Sequence, residues 1–451
     1  MLVKKVDTVI KYDKLKYALK WISLSILIGF IVGIIALLFQ IALMSLINWV
    51  NSLYIWIILC LPIMGLFISG IITGRFAPEA RGHGTDAIIN AYHEKWGIVR
   101  PRVIGAKLSS SIVTLGFGGS AGREGPTVQM GGGFSSFIGQ KLSLTLKEQR
   151  TLVLCGMSAS FGAIFGTPLS GALFACEVVY RDDFEYLNIL PCAISSVVGF
   201  LTYKEIFSII FGSPENLIQF PTINYMFLWW HIIIFLGVGF FCGLIGLLYV
   251  KLFYYTDEKT KNWKRPEWFK TLLGGIIVTL LAILFVIFAI SFTGDINNSA
   301  LILGLGWRII NLLGTDPLVF SLQFLILLLI FKILTTCATI GSGGSGGVVA
   351  PSIVIGALVG GIIATILGPF VNFDTRVFIG VSSIVMFASI AHIPLTGMLM
   401  AGEIFGISFI IPTLLASTMG SWVAAGDSIY HSSLISRDEK MKIYHKFKEV
   451  T

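Results

Sequence analysis

Gly118-Gly119-Ser120-Ala121-Gly122-Arg123-Glu124-Gly125-Pro126-Thr127-Val128-Gln129 is the stretch that decides how this chain folds. Its glycines let an extended backbone run into an apolar environment. Pro126 suits the first turn of a helix, where a missing N–H is no loss. A second stretch repeats the pattern: Gly343-Gly344-Ser345, then Pro351 and Gly356, stands 225 positions beyond Gly118-Gly119-Ser120, Pro126 and Gly131. A further pair follows in the same order. Pro168-Leu169-Ser170-Gly171 with Glu177 returns as Pro394-Leu395-Thr396-Gly397 with Glu403, at an offset of 226. Two blocks in one order at nearly one offset indicate an internal duplication with its seam near residue 220.

Around these blocks the chain is apolar. Mean hydropathy is +0.87 and 12% of the 451 residues are charged, about half the fraction of a soluble domain. The runs Ile22–Leu46, Tyr54–Gly74, Leu228–Tyr254, Thr271–Phe292 and Phe320–Ile340 approach or exceed the roughly 20 residues a helix needs to cross a bilayer. Backbone polar groups have no water to bond in lipid, so these spans are helices. Period-2 alternation is missing, which excludes a transmembrane barrel. The fold expected is an all-α polytopic membrane protein. Between 102 and 188, and again between 341 and 426, the apolar pieces read as short and glycine-broken. Interrupted segments in matching positions of two halves mark a binding site.

Lys4, Lys5, Lys11, Lys14, Lys16 and Lys20 precede the first run, and Arg437, Lys440, Lys442, Lys446 and Lys448 follow the last. The positive-inside rule places both ends in the cytoplasm, with the basic loop 259–270 on the same side. Both ends on one side require an even number of spans, and two halves of odd span number would then be inverted. The organisation expected is a cytoplasmic basic segment over 1–20, repeats over 21–220 and 221–436, and a short cytoplasmic tail over 437–451 without a regulatory domain. The first run is too long for a cleaved signal peptide. The net charge of +8 belongs to topology and headgroup contact rather than to nucleic acid.

The chemistry lies at the helix starts. Free N–H groups of a first turn, with the helix dipole, form an anion site. Glu124 sits at such a start, so its carboxylate can occupy the site as a tethered anion and leave it when protonated. The alternative is a structural Arg123–Glu124 pair. An ionisable group at membrane depth is a functional candidate by default. The second block contains Gly341, Gly343 and Gly346 in GxGxxG spacing, but no βαβ pattern surrounds it. The repeat makes it a second helix start opposing the first. Two opposed N-termini bind a dehydrated anion without a full positive charge and still release it. A third glycine-rich start is Arg81-Gly82-His83-Gly84-Thr85-Asp86, where His83 either donates to an anion or packs beside a cap. Glu177 and Glu403 end matching short helices and read as carboxylates that cap backbone N–H groups. Lys107 either adds positive potential to the path or snorkels.

Other classes are excluded by what is missing. Cys60, Cys155, Cys176, Cys192, Cys242 and Cys337 show no CxxC spacing, so neither a metal site nor a disulfide framework is expected. His83, His93, His231 and His392 show no HExxH or paired spacing, so no enzyme and no cofactor is expected.

These residues resemble the CLC family of chloride channels and chloride/proton exchangers over about residues 20–436. Gly122-Arg123-Glu124-Gly125-Pro126 matches one family motif in full, Gly347-Val348-Val349-Ala350-Pro351 is similar to a second, and Gly82-His83-Gly84-Thr85-Asp86 occupies the place of a third. Tyr430 sits where the family's pore tyrosine is expected, and Lys107 matches a family lysine. The resemblance implies about eighteen helical segments in two inverted repeats, and a homodimer in the cell membrane with one pore per subunit. It implies chloride as the transported ion and protons as the counter-ion. Glu124 is then the gate and proton carrier. His83, Gly84, Arg123, Gly125, Val348, Val349, Ala350 and Tyr430 form the anion site, and Lys107, Glu177 and Glu403 support it. Three positions depart from the family pattern: His83 replaces the central serine, Val349 replaces a phenylalanine, and Val178 stands where exchangers usually carry an inner proton-relay glutamate. Passive conduction, and carriage of nitrate or fluoride, therefore stay open.

Overall fold

The computed structural model describes residues 2–213, 218–223 and 225–438, with backbone alone for 2–15. Lys440, Lys442, Lys446 and Lys448, and the side chains of Lys4, Lys5, Lys11 and Lys14, lie outside the described residues. Sixteen α-helices and five short 3-10 segments form among the described residues, and no strand. The first eight helices are α1 (Leu2–Asn51), α2 (Ile55–Phe76), α3 (Gly84–Glu94), α4 (Arg102–Gly116), α5 (Glu124–Lys141), α6 (Leu146–Phe165), α7 (Pro168–Glu177) and α8 (Ile189–Phe211). The second eight are α9 (His231–Lys261), α10 (Glu267–Thr293), α11 (Trp307–Thr315), α12 (Leu322–Gly341), α13 (Val349–Leu367), α14 (Arg376–Ala391), α15 (Pro394–Phe405) and α16 (Ile410–Val423).

Seven of the described helices are long and apolar enough to cross a membrane. The five runs named from sequence fall in α1, α2, α9, α10 and α12. The other two contain α8 and α13. The protein is an integral, multi-pass membrane protein.

The second half packs as the first does. α1 lies on α8, α6 on α8 and α5 on α6; likewise α9 lies on α16, α14 on α16 and α13 on α14. Across the halves α2 packs on α10 and α7 on α15, each pair being repeat mates. The α7–α15 contact shows how the halves are related. Glu177, at the end of α7, accepts from the N–H groups of Leu395 (3.0 Å) and Thr396 (2.7 Å), at the start of α15. Glu403, near the end of α15, accepts from the N–H groups of Leu169 (2.8 Å) and Ser170 (2.9 Å), at the start of α7. The Thr396 and Ser170 hydroxyls donate to the same carboxylates. The end of each helix meets the start of its mate, so the mates run antiparallel and the two repeats are inverted.

The two motif regions hold the expected short helices, α7 and α15 of 10 and 12 residues, beside longer ones: α5, α6 and α13 are 18, 20 and 19 residues long and run straight through their glycines. Those glycines mark close crossings. A Cβ on Gly131 would lie 2.7 Å from the Gly156 carbonyl of α6, and one on Gly360 would lie 2.6 Å from the Phe378 carbonyl of α14. Helix propensity is overridden by burial against a neighbouring backbone.

Candidate anion-binding site

Three glycine-rich loops meet at the middle of the molecule. The Gly122 and Gly347 backbones exchange two hydrogen bonds of 2.7 Å, and the Gly346 N–H donates to the Gly82 carbonyl at 3.3 Å. The starts of α3, α5 and α13 are thereby brought together. A Cβ on Gly347 would lie 2.8 Å from the Gly125 N, and one on Gly84 would lie 2.5 Å from the Gly125 carbonyl. Such an approach is open to glycine and closed to any residue with a side chain.

No side chain caps the start of any of these three helices; their N-cap residues are His83, Arg123 and Val348. First-turn amides without a side-chain cap and an aligned dipole favour an anion. Glu124 is the first residue of α5 and is 1% exposed. Its carboxylate is turned toward its own amide and that of Ala350 on α13. Neither oxygen reaches hydrogen-bond geometry with a described residue. A carboxylate thus lies beside the starts of two repeat-mate helices.

Tyr430 is fully buried, and its ring centroid is 5.9 Å from that of His83. The Phe253 ring of α9 packs on the other side of His83, 5.5 Å away. His83 Nδ1 is a buried polar atom without a hydrogen-bond partner among the described residues, and the buried Tyr430 hydroxyl lies beside the Thr85 side chain of α3. Buried polar groups are normally satisfied, so an imidazole nitrogen and a hydroxyl beside uncapped helix starts form a polar locus suited to a ligand. Val348, Val349 and Ala350 are buried and present backbone rather than polar side chains.

Two residues act on the scaffold. Arg123 is 1% exposed and donates to the Ile164 carbonyl at the end of α6, at 3.4 Å. Lys107 does not snorkel. It is fully buried and donates to the Ala80 (3.0 Å) and Gly82 (2.7 Å) carbonyls, bracing the loop that leads into α3. Its repeat mate, which the sequence reading missed, is Lys332, which donates to the Gly304 carbonyl at 3.0 Å before α11. The same 225-residue offset would have found it. Val178 is buried in the apolar core. No cluster of residues suited to a metal ion occurs among the described residues, and the described cysteines are free thiols.

Inverted membrane repeats that bring uncapped helix starts together around a buried carboxylate define an anion-transport protein. The profile of the voltage-gated chloride channel family matches residues 65–425. The chain belongs to that family. It is 31% identical to an uncharacterized protein of Methanocaldococcus jannaschii over 93% of this chain and 96% of that one. It is 26% identical to the chloride/fluoride channel protein of Pseudomonas syringae pv. tomato, over 95% of this chain and 89% of that one. Among solved structures, that of a CLC-type fluoride/proton antiporter shares its fold, with a TM-score of 0.79 and 22% identity over 93% of this chain and 98% of that chain.

Proposed function

We propose that this protein exchanges chloride for protons across the membrane, with Glu124 as the group that gates the anion path and carries the proton. The observation that carries this reading is the Glu124 carboxylate at the joint start of α5 and α13, beside Ala350 N. There a carboxylate and a free anion compete for the same amides. Protonation removes the carboxylate charge and releases the site to the anion. His83, Tyr430 and the amides of Gly84, Gly125, Val348, Val349 and Ala350 line the path. Arg123, Lys107, Glu177 and Glu403 hold it in shape. The protein is a transporter and not an enzyme.

Fluoride is a second reading. It is favoured by a relative named a chloride/fluoride channel protein, and by an imidazole at His83 where the family pattern has a hydroxyl.

Residues 21–220 and 221–436 are the two repeats, joined by the segment between α8 and α9. Both ends face the cytoplasm, consistent with Lys16 and Lys20 on α1 and Arg437 beyond α16. Two copies associate in the cell membrane, and apolar Leu190, Ile407 and Trp422, all exposed on the single chain, are suited to meet either a second copy or lipid.

Purified protein in liposomes tests the reading. An outward chloride gradient is expected to drive protons inward against their own gradient. Anion flux with no proton movement would leave a passive channel. Faster flux and tighter binding with fluoride than with chloride would establish the second reading.

A further inference from the structure

We propose that Asp86 is a positioning residue: its carboxylate clasps the Tyr430 segment to the start of α3 and so sets the width of the anion path at its His83–Tyr430 end. This rests on the reading of Tyr430 as a wall of that path.

Asp86 is the third residue of α3 and does not cap its own helix. Its two oxygens reach across to the other end of the chain. Oδ1 accepts from the Ser432 N–H at 2.9 Å, and Oδ2 accepts from the Ser432 hydroxyl at 3.0 Å. Ser432 lies two residues after Tyr430, and His83 lies three residues before Asp86. One carboxylate therefore joins the two segments that carry the packed His83 and Tyr430 rings, whose centroids are 5.9 Å apart.

The segment needs such a tie because it is not helical. Residues 427–434 form turns and an isolated bridge after α16 ends at Val423. No helical ladder stiffens them, so their place depends on separate anchors. The Ile429 N–H donates to the Ile390 carbonyl of α14 at 2.8 Å, and the Tyr254 hydroxyl of α9 donates to the Ile429 carbonyl at 2.7 Å. The Leu434 N–H donates to the Val179 carbonyl at 3.3 Å. These anchors hold the segment to α9, to α14 and to the chain beyond α7. The Asp86–Ser432 pair holds it to α3, the helix that carries His83. A carboxylate receiving two hydrogen bonds is a stronger tie than a pair of neutral groups.

The test is chloride and thiocyanate efflux from liposomes holding Asp86→Ala, Asp86→Asn, Ser432→Ala and the double variant Asp86→Ala/Ser432→Ala. Asp86→Ala cuts both bonds and is expected to raise chloride turnover about three-fold or more, with a larger rise for the bulkier thiocyanate. Ser432→Ala keeps the amide bond and is expected to give a smaller rise. The double variant is expected to match Asp86→Ala, since both changes cut the same tie. Ser432→Ala leaves the Asp86 charge in place, so a rise there comes from the clasp and not from lost repulsion of the anion. If Asp86→Ala does not fold, Asp86→Asn and Ser432→Ala carry the test, each expected to raise turnover. Unchanged turnover and unchanged thiocyanate preference in the folded single variants, or additive effects in the double variant, overturn the proposal. Tyr430→Ala separates the two readings. If it changes neither turnover nor preference, Tyr430 does not line the path. If it raises turnover while the Asp86 and Ser432 variants do not, the clasp alone is wrong.

Discussion

Gly122 and Gly347 exchange both of their backbone hydrogen bonds, N–H to carbonyl in each direction at 2.7 Å, and they are 225 positions apart in the chain. Each is the repeat mate of the other. A residue that bonds reciprocally to its own mate lies on the axis relating the two halves. The starts of α5 and α13 flank this axis, and Glu124 follows Gly122 by two residues. The reciprocal contacts of Glu177 and Glu403 lie about the same relation. The halves are not identical there: Glu124 on one side of the axis is Val349 on the other.

Replacing Glu124 with Gln is expected to abolish proton movement and preserve anion flux, because the tethered charge and the proton acceptor are one group. Paired chloride and proton fluxes from liposomes check it. Proton movement at the unmodified rate would remove Glu124 from the proton path.

Tyr430→Ala removes a buried hydroxyl at the His83 end of the path. A hydrogen bond to a charged partner is worth roughly 1.5–3 kcal/mol, so chloride affinity is expected to fall about ten-fold or more. Isothermal titration calorimetry reads this directly, and unchanged affinity would place the ion away from Tyr430.

His83→Ser is expected to shift anion preference toward chloride, by exchanging an imidazole for a small hydroxyl donor. Competitive efflux of chloride, nitrate and fluoride is the measurement. Equal preference before and after would mean that the His83 backbone, not its ring, faces the ion.

Glu177→Ala strips the start of α15 of its carboxylate cap and leaves the Leu395 and Thr396 N–H groups without it. A loss of about 1–2 kcal/mol is expected. Glu403→Ala should cost a similar amount at the start of α7. Thermal denaturation in detergent compares the two, and a loss confined to one variant would contradict their equivalence.

Asp374 lies in the loop before α14 and receives the Arg376 guanidinium and the Arg376 N–H, each at 2.9 Å. The guanidinium first, then the amide, holds the carboxyl below the usual carboxylate range. A carboxyl with a depressed folded-state pKa contributes stability that is present above its unfolded value and lost as pH falls through the folded value. Asp374→Asn should therefore cost about 1 kcal/mol at neutral pH, and progressively less below about pH 4. Denaturation midpoints across pH 3 to 8 test the sign, and a penalty that grows in acid would reverse it.

Much of this protein could be read from its residues because the bilayer narrows the choices. Hydropathy sets α1, α2, α9, α10 and α12, since an apolar stretch in lipid has helix as its remaining option. Two glycine blocks at one offset reveal the duplication. Pro126 and Pro351 mark helix starts, and Glu124 stands out as a charge among apolar neighbours. The tertiary structure decided what depends on distance between remote segments. It made the glycines of α5, α6 and α13 crossing points rather than breaks, because the carbonyl each one accommodates belongs to another helix. It showed the halves to be antiparallel through Glu177 and Glu403, whose partners lie more than 200 residues away. It also brought Asp86 to Ser432, 346 residues apart. Local patterns report on neighbours in the chain, whereas a backbone threaded through a membrane site is held by residues that no local pattern connects.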